Sequence, residues 1–278
     1  MTAAEVRPPR PSNPLRTVAR LPWTVLKWAF GWIVLFELRN KVLLLPSGIR
    51  LRRLANAEIA RIAATLPDLP EPLVVTAIPT YRRPEALLTA VRSALAQTVQ
   101  DQLVVVVDDG SNSLPLAELP DDPRLIAVAM ERNSGDCGVV RNVAMRLTRS
   151  RYVAFLDDDN VWAPDHLATA LEVLEAPGGP DAVYTAVRRV LPDGSEHDVL
   201  SVPWDRRRNS REAFVDINAF VGRRFPSMRF SWLYRAKGVL PREDWEFVRR
   251  YSRGRRLQHI PHVTVEYLVN PTSFYTQW

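Results

Sequence analysis

The stretch RYVAFLDDDNVWAPDHL, residues 151–167, joins an apolar run to three consecutive carboxylates. Residues 152–156 are typical of a buried strand, and Asp157, Asp158 and Asp159 follow at the point where that strand ends. Three adjacent like charges repel one another, and a bound cation or ligand would offset that repulsion. The alternative is a polar strand end whose carboxylates only cap the next helix.

The chain around this stretch alternates between two patterns. Apolar runs predict strands at residues 73–78, 102–107, 124–128 and 152–156, and periodic segments predict helices at 83–97, 138–148 and 164–175. Strands that alternate with helices indicate an α/β fold with a single, mostly parallel sheet flanked by helices.

Polar clusters follow three of the predicted strands. They are PTYRR (79–83) after the first strand, DDGSN (108–112) after the second and DDDN (157–160) after the fourth. The carboxyl ends of parallel strands share one edge of an open sheet, and ligands bind in the crevice beyond that edge. The sequence therefore predicts one site built from three distant segments.

The carboxylates at this edge indicate the kind of ligand. Clustered carboxylate oxygens suit Mg²⁺ or Mn²⁺, and such an ion commonly shares its coordination shell with phosphates. The sequence has no Gly-x-x-x-x-Gly-Lys loop, and no Gly-x-Gly-x-x-Gly follows the first strand, which argues against P-loop and dinucleotide chemistry. A metal-bridged nucleoside diphosphate remains, and Asp108 or Asp109 could accept a hydrogen bond from its base or ribose.

Four segments, in this order, resemble family-2 glycosyltransferases of the GT-A fold. They are VVTAIPTYRRPEALLTAVRSALAQT (74–98) with LVVVVDDGS (103–111), RNSGDCGVVRNVAM (132–145), the opening stretch with its Asp-x-Asp, and FSWLYRAKGVLPREDWEFVRR (230–250). The resemblance implies a Rossmann-like sheet and inverting transfer of a sugar from a nucleotide-diphosphate donor to a hydroxyl-bearing acceptor. The acceptor would be a glycan, a lipid-linked saccharide or a small molecule, with cell-envelope polysaccharide synthesis as the setting.

The resemblance also implies roles for individual residues. The residues expected to contact the nucleotide sugar are Pro79, Thr80, Tyr81, Arg83, Asp108, Asp109, Arg141, Asp157 and Asp158. Asp159, with Asp157, is the expected ligand of Mn²⁺ or Mg²⁺, and Asp244 is the expected catalytic base, with Glu243 as the alternative. His259 or His262 could reach the metal, although two histidines around a proline are more typical of a strand edge. We expect Asp165 to be an ordinary helix cap.

The N-terminal segment differs from the rest of the chain. A proline-rich break at 66–72 separates residues 1–70 from a catalytic domain at 71–278, with a donor half at about 71–175 and an acceptor half at about 176–278. Residues 1–56 hold ten Lys/Arg and two Glu, a net of +8, so the remainder carries +6 − 8 = −2. This distribution and the single cysteine favour a peripheral protein on the cytoplasmic face of a membrane, with residues 1–56 on an anionic surface.

The tryptophan-rich residues 21–46 are too interrupted by charges to span a bilayer and predict an amphipathic helix. Such a helix lies in the membrane interface, or packs on the protein body or on a partner chain. Nucleic-acid binding is disfavoured because the basic segment is rich in Trp and Leu. Two further functional alternatives are a nucleotidyltransferase, which would need a Gly-rich loop where PTYRRPEA stands, and a noncatalytic nucleotide-sugar-binding protein, which would need no base.

Overall fold

The protein folds into a curled mixed sheet flanked by helices. The structure is a computed structural model that describes residue 25, residues 32–234 and residues 241–269. The helices are α1 (Trp32–Leu43), α2 (Leu45–Ala63), α3 (Pro84–Leu95), α4 (Cys137–Leu147), α5 (His166–Glu175), α6 (Arg206–Asn209) and α7 (Glu243–Tyr251). The strands are β1 (Val74–Thr80), β2 (Gln102–Asp108), β3 (Leu125–Ala129), β4 (Tyr152–Phe155), β5 (Asn160–Trp162), β6 (Ala182–Val190), β7 (Glu196–Leu200), β8 (Phe220–Arg223) and β9 (Leu257–Leu268).

The sheet has nine strands in the order β3-β2-β1-β4-β8-β6-β9-β5, with β7 paired to β6. The first four strands in this order are parallel to one another, and β8 runs antiparallel to both of its neighbours, β4 and β6. The α/β prediction is confirmed, and the seven predicted elements begin and end within two residues of the observed ones.

The strand order reverses between β1 and β4, and this reversal creates the crevice. The chain passes from β1 through α3 to β2 on one side, and returns from β3 through α4 to β4 on the other. Right-handed crossovers in opposite directions place α3 and α4 on opposite faces of the sheet. Every residue of β1 and β2 is consequently buried. Ligands in such folds bind at this reversal, outside the carboxyl ends of the strands.

Helix α2 is packed into the body of the protein. Leu51, Ala55 and Ile62, spaced along one helical face, belong to the same buried core as the sheet. Glu58 is also buried, and it accepts hydrogen bonds from Arg61 at 2.8 Å and from the backbone N–H of Glu131 at 3.1 Å. Helix α2 is therefore part of the packed body of the protein.

Helix α1 touches the region of α7, because the Trp32 ring lies 6.2 Å from the Trp245 ring. The part of the predicted amphipathic helix at 21–46 that precedes Trp32 lies, apart from residue 25, outside the described residues. No helix in the described part of the chain has the length and apolar content needed to cross a membrane.

An aromatic cluster holds α7 against the sheet. Phe230 stacks on Phe247 with ring centroids 4.3 Å apart, and Phe155 meets both rings edge-on. One turn further along α7, the Tyr251 hydroxyl donates to the backbone carbonyl of Arg223 at 2.9 Å. These contacts fix the position of the first turn of α7.

Candidate active site

The ends of β1, β2 and β4 meet at the strand-order reversal. The Thr80 hydroxyl, at the end of β1, donates to Asp158 at 2.7 Å, and both side chains are buried. Thr80 is also the register partner of Asp108 at the end of β2. The structure therefore brings together the three polar clusters that the sequence places after separate strands.

Arg83 is the cation nearest to two of the three consecutive aspartates. Its guanidinium lies 2.5 Å from Asp159 and 3.3 Å from Asp158. Burial raises the pKa of Asp158 to about 6, while the hydrogen bond from Thr80 and the charge of Arg83 oppose that shift. Burial and the charge of Asp157 also raise the pKa of Asp159. One half-exposed arginine thus offsets only part of the negative charge collected here.

The two aspartates at the end of β2 have different environments. Asp108 is buried, and one of its carboxylate oxygens accepts from the Ser111 backbone N–H at 2.9 Å. The other oxygen has no hydrogen-bond partner among the described residues, which is unusual for a buried acceptor. Asp109 accepts from the backbone N–H groups of Ser134 (2.8 Å) and Gly135 (3.0 Å), and from the Ser134 hydroxyl. Asp108 therefore keeps one buried acceptor oxygen unused, whereas Asp109 holds a loop.

Arg141 joins the strand ends to the acceptor half of the chain. It lies on α4 with only 2% of its side chain exposed, and its guanidinium sits over the Phe230 ring at 5.1 Å. One terminal nitrogen donates to Asp244 at 2.6 Å, and the other donates to Asp157. The predicted base and the predicted donor-site carboxylate therefore share one buried cation.

The position of Asp244 follows from the helical period of α7. Asp244, Phe247, Val248 and Tyr251 lie three, four and seven residues apart, so they share one face of the helix. The aromatic residues of that face pack on the sheet, which directs Asp244 toward the strand ends. Burial, with the nearby charges of Glu243 and Asp157, raises the pKa of Asp244, and Arg141 opposes this shift.

Two residues near this site were missed in the sequence. Asn218 accepts from the Asp157 backbone N–H at 2.6 Å, and its amide donates to the Asp157 carboxylate at 3.2 Å. Asp216 accepts from the same amide at 2.8 Å, and burial raises the pKa of Asp216 to about 6. The available signal was a pair of polar residues inside the apolar run FVDINAFV (214–221), since buried polar groups require partners.

The remaining residues that the sequence analysis named as site candidates lie in different parts of the structure. Pro79 is buried inside β1, Tyr81 is exposed in the loop after it, and Glu243 is buried at the start of α7. Among the described contacts, neither histidine reaches the three consecutive aspartates at 157–159: His259 lies beside Ser201 and the Tyr184 ring, and His262 bonds to Asp165 at 2.9 Å.

The prediction that Asp165 is an ordinary helix cap is wrong in one respect. Asp165 occupies the N-cap position of α5, but its side chain makes no capping hydrogen bond. Its φ of −99° and ψ of 5° differ from the extended backbone of a capping residue, and its carboxylate instead accepts from His262.

The described residues contain no group of three His, Cys, Asp or Glu side chains arranged to hold a metal ion. The donor set nevertheless fits a hard divalent cation, because Asp157, Asp158 and Asp159 offer only oxygen ligands and burial raises the pKa of Asp158 and of Asp159, which a bound cation would offset. Phosphate oxygens and water commonly complete such a shell, so a full set of protein ligands is not required.

Comparisons with known proteins identify the family and the fold. The family model described as Glycosyl transferase family 2 matches residues 76–232, more than half of the chain. The succinoglycan biosynthesis protein ExoO of Rhizobium meliloti (strain 1021) is 37% identical over 115 residues, which cover 40% of this chain and 32% of that protein. The matched segments span 32% to 46% of the length of three such curated relatives.

Two solved structures share the fold at low identity. S. aureus TarS 1-349 in complex with UDP-GlcNAc superposes with a TM-score of 0.58 at 19% identity, covering 74% of this chain and 61% of that one. The mannosyltransferase PcManGT from Pyrobaculum calidifontis, in complex with GDP-Man and Mn²⁺, gives a TM-score of 0.52 at 19% identity, covering 82% and 70%. The family match and the shared architecture lead to one conclusion: the chain belongs to glycosyl transferase family 2 and has the GT-A fold.

Proposed function

We propose that the chain transfers a sugar, with inversion, from a nucleotide-diphosphate donor to a hydroxyl-bearing acceptor. The observation that carries this proposal is the sharing of Arg141 between Asp244 and Asp157. A carboxylate suited to deprotonate an acceptor is thereby held next to the carboxylates suited to a donor.

The donor half of the site supplies complementary contacts for a nucleotide. Asp108, at the end of β2, is the proposed acceptor for an N–H group of the base or for a ribose hydroxyl. Thr80 and Arg83 orient Asp158 and Asp159 at the strand ends. Asp159, with Asp157, would hold Mn²⁺ or Mg²⁺, and that ion would supply Lewis-acid stabilisation of the departing diphosphate.

The acceptor half supplies the base. Asp244 takes the proton of the acceptor hydroxyl while that oxygen bonds to the anomeric carbon and the bond from this carbon to the diphosphate oxygen breaks. Attack opposite the leaving group inverts the anomeric configuration. Arg141 keeps Asp244 in place, and the raised pKa of Asp244 makes its carboxylate a stronger base than an exposed aspartate.

The relatives indicate which substrates to try first. TarS is solved with UDP-GlcNAc and PcManGT with GDP-Man, and ExoO is named for succinoglycan biosynthesis. We therefore propose a nucleoside-diphosphate hexose as the donor and a growing cell-envelope polysaccharide or its lipid-linked precursor as the acceptor.

A donor panel tests the proposed reaction. UDP- and GDP-hexoses are incubated with the protein, with and without Mn²⁺, while release of nucleoside diphosphate is followed by a coupled assay and thermal unfolding is recorded. We expect one donor to raise the melting temperature and to be hydrolysed slowly in the presence of Mn²⁺. A panel with neither effect contradicts the proposal.

We also propose that the protein associates peripherally with the cytoplasmic face of a membrane. The support is the +8 net charge of residues 1–56, counted above, together with the apolar side chains that α1 and α2 expose.

A further inference from the structure

A row of exposed apolar side chains runs along α1 and the start of α2. Val34, Leu38 and Val42 follow one another at intervals of four residues, and Leu45 and Ile49 continue the row after the break between the helices. Leu38 is 60% exposed and Val42 is 68% exposed. Residues at this spacing lie on one helical face, so they form a continuous apolar ridge.

A basic groove adjoins this apolar ridge. It has a volume of about 440 Å³ and lies between α1–α2, the loop at 229–233 and the end of α7. Leu45 and Ile49 belong both to the ridge and to the wall of the groove. The cationic side chains that line the groove are Lys41, Arg52, Arg229, Arg249, Arg250 and Arg253, and its acidic ones are Glu37 and Glu246.

The charges inside the groove are unbalanced. Glu246 is engaged by Arg250 at 2.8 Å. In the part of the chain that the structure describes, no acidic side chain pairs with Lys41, Arg52 or Arg253. Burial and the neighbouring charges of Arg250 and Arg52 lower the pKa of Arg229. An anion bound among the cationic side chains of the groove would offset their mutual repulsion.

We propose that the basic groove binds the phosphate headgroup of an anionic phospholipid while the apolar ridge enters the interfacial layer of the same membrane. This inference rests on the proposed peripheral membrane association and names the surface responsible for it. An apolar row beside a basic cleft is the pattern of interfacial helices, in which burial of apolar area and attraction to anionic lipid add together.

The groove is also connected to the candidate active site. Phe230 contacts Arg141 on one side of the loop, and Ser231, Trp232 and Leu233 line the groove on the other. Helix α7 begins beside the site with Asp244, and its residues Arg249 and Arg250 line the groove. These two arginines lie five and six residues after Asp244, about 8–9 Å along the helix at a rise of roughly 1.5 Å per residue, so a membrane bound at the groove is close to the proposed base.

Vesicle sedimentation of the full chain tests this inference. The probes are vesicles of phosphatidylcholine alone and of phosphatidylcholine mixed with phosphatidylglycerol. The double variant Arg52→Glu/Arg253→Glu reverses two groove charges. The matched control Arg53→Glu/Arg92→Glu makes the same change in net charge at exposed arginines, one on the same helix, that do not line the groove.

We expect the wild-type chain to prefer the phosphatidylglycerol vesicles and the groove variant to bind them on the order of tenfold or more weakly. The control should stay within roughly twofold of the wild type. Leu38→Ser/Val42→Ser should weaken binding to both kinds of vesicle, since it removes apolar area rather than charge.

Equal losses in the groove variant and its control would overturn the groove as the binding site, and unchanged binding by the ridge variant would overturn insertion of the ridge. A wild-type chain that binds neither vesicle would overturn both this inference and the proposed membrane association. Donor-dependent melting shifts, measured on the same preparations, report separately on the proposed transferase function.

Discussion

Replacement of Asp244 by Asn removes the proposed base while preserving the shape of the site. The Asn carbonyl oxygen can still accept from Arg141, which is 2.6 Å from the native carboxylate, and Arg141 keeps its second bond to Asp157. Asn and Asp have nearly the same size and shape, so the substitution opens no cavity. We therefore expect the folded structure and the donor site to be retained.

The expected loss is in turnover. Loss of a positioned base lowers the rate on the order of 10²–10⁴-fold, which corresponds to about 3–5 kcal/mol of transition-state free energy. The assay is transfer of labelled sugar to the acceptor at saturating donor, with the donor dissociation constant and the unfolding midpoint measured alongside. Glu243→Gln, which changes the adjacent buried carboxylate, is the matched control.

The pH profile gives an independent readout. Because burial raises the pKa of Asp244, the wild-type rate should fall as the pH drops through that pKa and the carboxylate becomes protonated. The Asn variant should lack this acid limb. Near-normal transfer by Asp244→Asn with loss in Glu243→Gln would identify Glu243 as the base, and near-normal transfer by both would refute single displacement with a base at this helix start.

Three further predictions concern residues that support the site or the core. Asn218→Ala should weaken nucleotide binding on the order of tenfold in calorimetric titrations, because Asp157 loses its orienting amide; unchanged affinity would contradict this role. His166 is buried with its pKa lowered to about 3, so the unfolded chain gains a proton as the pH falls below about 6.5. Urea titrations should therefore show the stability advantage of wild type over His166→Gln shrinking by up to about 1.4 kcal/mol per pH unit from pH 6 toward pH 4; a constant advantage would show that His166 does not titrate on unfolding. Asp109→Ala should lower the free energy of unfolding by about 1–3 kcal/mol, since buried N–H groups at 134–135 lose their acceptor; undiminished stability with lost donor binding would instead favour direct contact of Asp109 with the nucleotide.

The parallel half of the fold was predictable because its signals are local. The strands at 73–78 and 102–107 are buried on both faces, so their sequences are nearly continuous apolar runs. In the helices that follow them, the apolar residues recur at the spacing of an amphipathic helix. The antiparallel strand β8 was not predicted. It has only four residues, at the end of FVDINAFVGR, and so short a run shows too little alternation of apolar and polar residues to distinguish a strand from a helix. The burial of α2 also required the structure, since an amphipathic face does not reveal what covers it.

The site was predictable where residues follow strand ends and unpredictable where contacts are long-range. The convergence of Thr80, Asp108 and Asp158 follows from the topology of parallel strands. The bridge from Arg141 to Asp244 spans 103 residues of sequence, and the bonds from Asn218 to Asp157 span 61. No spacing rule connects residues this far apart, so only the folded arrangement reveals these positioning contacts.

The central claim is that the aspartates after β4 bind a nucleoside diphosphate together with a divalent cation. Calorimetric titration of UDP and of GDP into wild type and Asp159→Asn, in Mn²⁺ and in EDTA, tests it most directly, with Asp165→Asn as a control outside the cluster. We predict that one nucleotide binds wild type and the control in Mn²⁺, and binds on the order of tenfold or more weakly in EDTA or to Asp159→Asn. Binding that is equally tight in all of these conditions, or absent from all of them, would contradict the claim.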